Sequence, residues 1–188
     1  MFDILGLNLV ANIEPAIKAL MIESGKENLF IREKCEKCFQ TIVQGKLSFM
    51  PDKLDLVMCE SNQIGAIQKL LSTLYSHTKS KNSTTRVITA QFIEQAVLHT
   101  KPDRCLSDTR DITDKLMNAM INAVNDSASD ARYFGRRIVH HLADHDNFEK
   151  RCKQYLNNED IKRINLIRTE SKESLHSKSI TKLKVSQF

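Results

Sequence analysis

Tryptophan is absent, and the chain holds only five Gly and three Pro among its 188 residues. A turn-rich β sandwich or barrel needs many such punctuating residues, so their scarcity points to long helices. No apolar run approaches the ~20 residues that cross a bilayer as a helix, so no membrane partner is expected. The opening Met1-Phe2-Asp3 lacks a basic flank before an apolar stretch, and no secretory signal is expected. The five cysteines are odd in number and irregularly spaced, which excludes a disulfide framework and points to a reducing compartment such as the cytosol. Gly-rich phosphate loops, nucleophile elbows and H-E-x-x-H runs are also missing, so neither an enzyme, a cofactor nor a small-molecule substrate is expected.

Some clusters resemble chemistry without completing it. Cys35-x-x-Cys38 falls on a predicted helix, but a zinc site needs about four ligands and no second close Cys or His pair accompanies it. His140, His141 and His145 are near one another in sequence, yet neighbouring helical residues point about 100° apart, so adjacent imidazoles do not form a cage. Small buried thiols and ordinary histidines explain both clusters, and no metal is expected. Asp108 and Asp111 read as cap and first-turn charges that suit a helix dipole.

What is present is a core-forming share of apolar residues, 41%, beside 27% charged residues and a formal net charge of +5. That mild positive charge favours acidic partners without requiring nucleic acid. The strongest signal is self-similarity. Arg32, Arg86 and Arg132 each open a helical stretch. Seven residues on lie Phe39, Ile93 and Val139; ten on, Ile42, Ala96 and Leu142; eleven on, Val43, Val97 and Ala143. These spacings share one face of an α-helix. Twelve residues before each arginine stand Leu20, Leu74 and Met120, and three before those stand Ile17, Leu71 and Met117. A further four back are Ile13, Ile67 and Thr113, with Ile112 beside the last able to serve the same face.

Each unit is therefore an A helix, a polar turn and a B helix. The arginines are 54 and 46 residues apart, near the roughly 40–47 residues of HEAT-type hairpins. An all-α solenoid of stacked hairpins follows, because one hairpin alone leaves an apolar stripe uncovered. The expected helices are about 3–11, then 13–23 with 29–44, a short 51–60, 63–77 with 85–99, 110–124 with 130–143, and two closing helices at about 146–155 and 158–168. Ser24-Gly25 ends one helix; Asn28, Asn62 and Ser127 or Ser129 can cap others. The ordered domain is expected over 1–168. From 169 to 188 the chain is rich in Ser and Lys and reads as a disordered tail.

In the third unit the pattern becomes specific. Arg104-Cys105-Leu106-Ser107-Asp108-Thr109-Arg110-Asp111 leads into a helix, followed by Asp130-Ala131-Arg132-Tyr133-Phe134-Gly135-Arg136-Arg137 and then His145-Asp146-Asn147-Phe148-Glu149-Lys150. This resembles the last TOG domain of the TOG array regulator of axonemal microtubules family, the crescerins, which shows an Arg-Tyr/Phe-Tyr/Phe-Gly-Arg-Lys run and then His-Pro-x-Phe. Leu29-Phe30-Ile31-Arg32-Glu33 is similar to that family's Phe-Ile-Arg-Glu segment. The resemblance covers about residues 4–168 and corresponds to the C-terminal half of a domain that has six HEAT units when complete. Asp146 stands where the family has Pro, and the Trp typical of the first TOG turn is absent.

The resemblance implies a non-enzymatic module that binds tubulin or microtubules through its A–B turns, in the cytoplasm, the cytoskeleton and, by the same token, a cilium or axoneme. Those turns are Ser24 to Asn28, Thr78 to Ser83 and Asn125 to Ser129. The first two correspond to the fourth and fifth TOG turns, which contribute basic contacts, and they carry Lys26, Lys79, Lys81 and nearby Arg86. Lysines in polar turns are otherwise simply solvated. Arg32, Arg86 and Arg132 are also read as structural by their repetition, each guanidinium reaching a carboxylate or free carbonyl in a neighbouring unit; Arg136 is read as structural too, and Gly135 as permitting a close helix approach. Tyr133 and Phe134 are expected in core and interface packing. The alternatives are a HEAT scaffold for another protein without tubulin binding, or a nucleic-acid-binding helical repeat; the latter needs a basic groove with stacking aromatics, which three Tyr and eight Phe at mostly core positions do not supply.

Overall fold

Three helical hairpins stand side by side in the computed structural model, which describes residues 9–26, 28–47, 56–100, 102–106 and 110–170. The first hairpin pairs α1 (Leu9–Ser24) with α2 (Leu29–Leu47), the second α3 (Leu56–His77) with α4 (Ser83–His99), and the third α6 (Arg110–Val124) with α7 (Ser129–Leu142). The one-turn α5 (Pro102–Cys105) links the second hairpin to the third, and α8 (Phe148–Tyr155) follows the third. A ninth helix, α9, covers residues 158–170. The described residues contain no strand, and none of their helices is long and apolar enough to cross a membrane.

The hairpins form two layers. α1, α3 and α6 pack in sequence as one layer, and α2, α4 and α7 as the other. The repeated apolar phase explains the stacking. Ile17, Leu71 and Met117 are all buried, as are Phe39, Ile93 and Val139. Leu74 and Met120 are fully buried, while Leu20 is half-buried against the same core. Each large side chain so buried contributes about 1.5–3 kcal/mol. Phe39 and Phe92 stack with ring centroids 4.0 Å apart, which joins the B helices of the first two hairpins face to face.

Several boundaries differ from the sequence expectation. Positions 11–13 lie inside continuous α1, so no break separates a preceding helix there; residues 1–8 lie outside the described ones. Residues 56–60 run straight into α3, and Asn62 is therefore interior to a helix rather than its cap. Residues 56–62 carry no Gly or Pro to interrupt the backbone, whereas α1 runs on through Pro15, which leaves the Ala11 carbonyl without its usual helical donor. The short α5 begins at Pro102, whose fixed φ suits a first helical position. The α7 N-cap is Ala128, not Ser127 or Ser129. α9 continues to residue 170, where the described residues end, so nearly all of the tail expected from 169 lies outside them.

The third hairpin is closed by α8 and α9. Phe148 is fully buried, with the Arg168 guanidinium 5.9 Å from its ring centroid. Ile164 and Ile167 of α9 join the common core. Buried Arg151 donates from Nε to the Leu106 carbonyl at 3.1 Å, tying α8 back to the segment before α6.

Candidate partner-binding edge

The A–B turns are built alike. In each, the B-helix arginine folds back over the turn that precedes it. Arg132 Nη1 donates to the carbonyls of Asp126 and Ser127 at 2.8 and 2.7 Å. Arg86 Nη1 donates to those of Ser80 and Lys81 at 2.8 and 3.3 Å. Arg32 Nη2 donates to the Lys26 carbonyl at 3.4 Å. The acceptors sit five or six residues before the arginine, so each guanidinium satisfies carbonyls freed where the A helix stops. These carbonyls belong to the arginine's own hairpin, not to the neighbouring unit that the sequence suggested.

Arg86 does cross to the next hairpin. Its Nε and Nη2 donate to the two Asp126 carboxylate oxygens at 2.7 and 3.1 Å, and Nη2 also reaches the Ser127 hydroxyl at 3.1 Å. Asp126 in turn accepts the Ala128 N–H at 2.8 Å, which takes the place of a side-chain cap on α7. Burial pushes the Asp126 carboxyl up, but the Arg86 guanidinium, the Ala128 N–H and the Ser127 hydroxyl together hold it below the usual carboxylate range. The Arg86 side chain is only 17% exposed and its charge is matched. It is a tie between turns, reaching a carboxylate of the neighbouring unit as expected of the repeated arginines, and is not offered outward with the lysines among which it was also counted.

The lysines behave differently. Lys79 and Lys81 are exposed on the second turn. Lys26, on the first, is exposed too, but it donates to both Glu23 carboxylate oxygens at 2.7 and 2.6 Å, a surface pair of small energetic worth. The helix ends that flank this turn present apolar side chains: Ile22 of α1 and Leu29 and Phe30 of α2 are 69%, 65% and 65% exposed, and Lys34 sits 5.1 Å from the Phe30 ring centroid. Asn28 and Asn82 cap the helices that follow, accepting the N–H groups of Phe30 and Thr84 at 3.0 and 2.9 Å.

Of the other residues singled out in the sequence, Gly135 faces α6 at close range. A Cβ there would stand 2.6 Å from the Val124 nitrogen and 2.8 Å from the Ala123 carbonyl carbon. Arg136 is exposed, unlike the buried, close-packed Gly135 beside it with which it was grouped as structural. Tyr133 is half exposed rather than in the core, edge-on to Phe134 and hydrogen-bonded through its hydroxyl oxygen to Arg137 Nη1 at 3.2 Å.

Two features escaped the sequence reading. Buried Glu94 on α4 accepts from Arg137 Nε at 3.0 Å and bonds His141 Nε2 at 2.8 Å, both on α7. Its only local signal is a carboxylate within the apolar run from Phe92 to Val97. Similarly, Gln95 donates to Glu36 at 3.1 Å across α4 and α2. These ties set the spacing of the B layer. No three His, Cys, Asp or Glu side chains among the described residues converge as metal ligands.

No protein-family profile matches the chain, and no solved structure matches it. Among curated proteins it is similar to TOG array regulator of axonemal microtubules protein 1 of Mus musculus, at 26% identity over 161 residues. That match covers 86% of this chain and 8% of the mouse protein, so the chain spans about a twelfth of its relative's length. The chain is thus similar, over most of its length, to one stretch of a TOG array regulator, and its described residues form an all-helical repeat.

Proposed function

We propose that the chain is a non-enzymatic TOG-like HEAT module, a partial domain over residues 1–168, that binds tubulin or microtubules through the edge formed by its first two A–B turns. Lys26, Lys79 and Lys81 are the contacts in this reading. The observation that carries it is the similarity, over 86% of the chain, to a protein named as a regulator of axonemal microtubules. The geometry supports it from another side: Arg86 turns inward to Asp126, whereas the neighbouring Lys79 and Lys81 stay exposed. Exposed cations on one edge steer and hold an acidic surface such as tubulin's. The setting that goes with this reading is the cytoskeleton, in a cilium or axoneme.

The test is fluorescence anisotropy with free tubulin, alongside co-sedimentation with microtubules. The chain binds, and reversing all three charges (K26E, K79E and K81E together) abolishes binding with an unchanged melting curve. Undiminished binding by the triple variant rejects the ridge.

A second reading, a HEAT scaffold for another protein, is favoured by one observation. The helix ends that flank the first turn expose Ile22, Leu29 and Phe30 while Lys26 is paired with Glu23, a surface better matched to an apolar partner than to a strongly acidic one. Wild-type chain that leaves tubulin unbound supports this second reading.

A further inference from the structure

Ser80 occupies in the second turn the place that Asp126 holds in the third. Each lies six residues before its B-helix arginine, and each main-chain carbonyl accepts that arginine's Nη1 at 2.8 Å. The side-chain oxygen of each also accepts the N–H two residues on: Asn82 to Ser80 at 3.3 Å, Ala128 to Asp126 at 2.8 Å. Ser80 Oγ thus corresponds to Asp126 Oδ1. Asp126 has a second oxygen, which takes the Nε–H of the preceding unit's arginine, Arg86. The serine has none. The arginine one unit before Ser80 is Arg32, and its Nε is buried and unpartnered. A buried N–H without an acceptor is costly, the more so on a charged group.

We propose that Ser80 is a phosphorylation site and that its phosphate is received by Arg32, making between the first and second hairpins the tie that Arg86 and Asp126 make between the second and third. In the modifying step the Ser80 hydroxyl oxygen attacks the terminal phosphorus of a nucleoside triphosphate held by a protein kinase. The bond to the diphosphate leaving group breaks, and the hydroxyl proton passes to the kinase's base. Ser80 is half-buried in a turn between exposed Lys79 and Lys81, an accessible edge. A carboxylate from outside would have to reach a buried Nε, whereas a phosphate borne on Ser80 starts from the side-chain position that serves the equivalent arginine one unit on. Phosphate oxygens pair well with guanidinium, and one phosphate adds up to three charge-assisted hydrogen bonds.

The experiment compares the full chain carrying phosphoserine at position 80 with the unmodified chain, each with Arg32 and as Arg32→Gln. Phosphorylation raises Tm by about 3–8 °C when Arg32 is present and leaves it unchanged or lower in the glutamine background. An equal shift in both backgrounds overturns the proposal, as does a fall in Tm with Arg32 present. Should Arg32→Gln fail to fold, Arg32→Met takes its place, since it keeps the stem's bulk and removes the charge. Phosphorus NMR gives an independent readout: the second phosphate ionisation, ordinarily near pH 6, moves to lower pH with Arg32 and returns when a neutral side chain replaces it. No difference between the two overturns the assignment. Neither measurement involves tubulin, so the outcome is independent of the proposed function.

Discussion

Gly135 leaves no room for a β-carbon. The nearest atoms are main chain of α6, at 2.6 and 2.8 Å, and main chain does not swing aside as a side-chain tip does. Replacing a helical glycine by alanine ordinarily gains about 1 kcal/mol, yet here overpacking reverses the sign. Gly135→Ala is expected to cost about 1–3 kcal/mol and Gly135→Leu more, read as a lowered Tm in thermal denaturation. Gly65, inside α3, has nothing within 4 Å of its would-be Cβ. Gly65→Ala therefore gains close to the full propensity difference and raises Tm by about 2–4 °C. The thiols separate in a comparable way. Burial pushes Cys105 up to about 12 and Cys152 up to about 11, while Cys38 is exposed. Timed alkylation followed by mass spectrometry is expected to label Cys38 before Cys105 and Cys152, and to reach those two only on unfolding. At this scale the sequence showed that Arg32, Arg86 and Arg132 recur in phase, because their spacing is local. It did not show that Arg86 finds Asp126, 40 residues away, since nothing in either segment specifies the other. Tyr133 misled for a different reason: an aromatic beside Phe134 reads as core, but it lies on the face of α7 opposite to buried Ala131 and Gly135.

Between elements, the Arg86–Asp126 pair is the chief polar tie between the second and third turns. Asp126→Ala leaves a guanidinium 17% exposed without its carboxylate and α7 without its cap, and is expected to cost about 2–3 kcal/mol in urea denaturation at neutral pH. The pair also has a pH signature. Asp126 ionises below its ordinary range in the folded chain, so the folded state binds this proton less readily than the unfolded one. Its contribution is whole above the unfolded-state value, which is near 3.9, and is lost as pH falls through the lower folded-state value. A stability–pH curve for Asp126→Asn should accordingly fall less steeply than wild type below about pH 4. The hairpins themselves were legible: α4, α6 and α7 fall within about two residues of expectation, since a solenoid repeats one apolar phase. The breaks expected near 12 and 61 were not there, because a short hydrophobic repeat cannot tell two abutting helices from one continuous helix.

Across the whole molecule, two layers of three helices keep the turns in register along one edge, with α8 and α9 closing the third hairpin. That architecture was readable because stacked repeats multiply a weak local pattern. The edge's chemistry was readable only in part: Lys79 and Lys81 remain outward, but Arg86 belongs to the scaffold and Lys26 shares its charge with Glu23. If tubulin binds there, its affinity weakens severalfold between low and near-physiological salt, as solvent-exposed cations are screened over about 8–10 Å; titration at two ionic strengths measures it. The arginines that bend back onto their own loops have one more consequence. Each corner is braced from within a single hairpin, before any neighbour arrives. A partner approaching the edge meets corners already rigid and loses little loop entropy on docking, so altering the braces would weaken capture by making the corners disorderly even with every lysine in place.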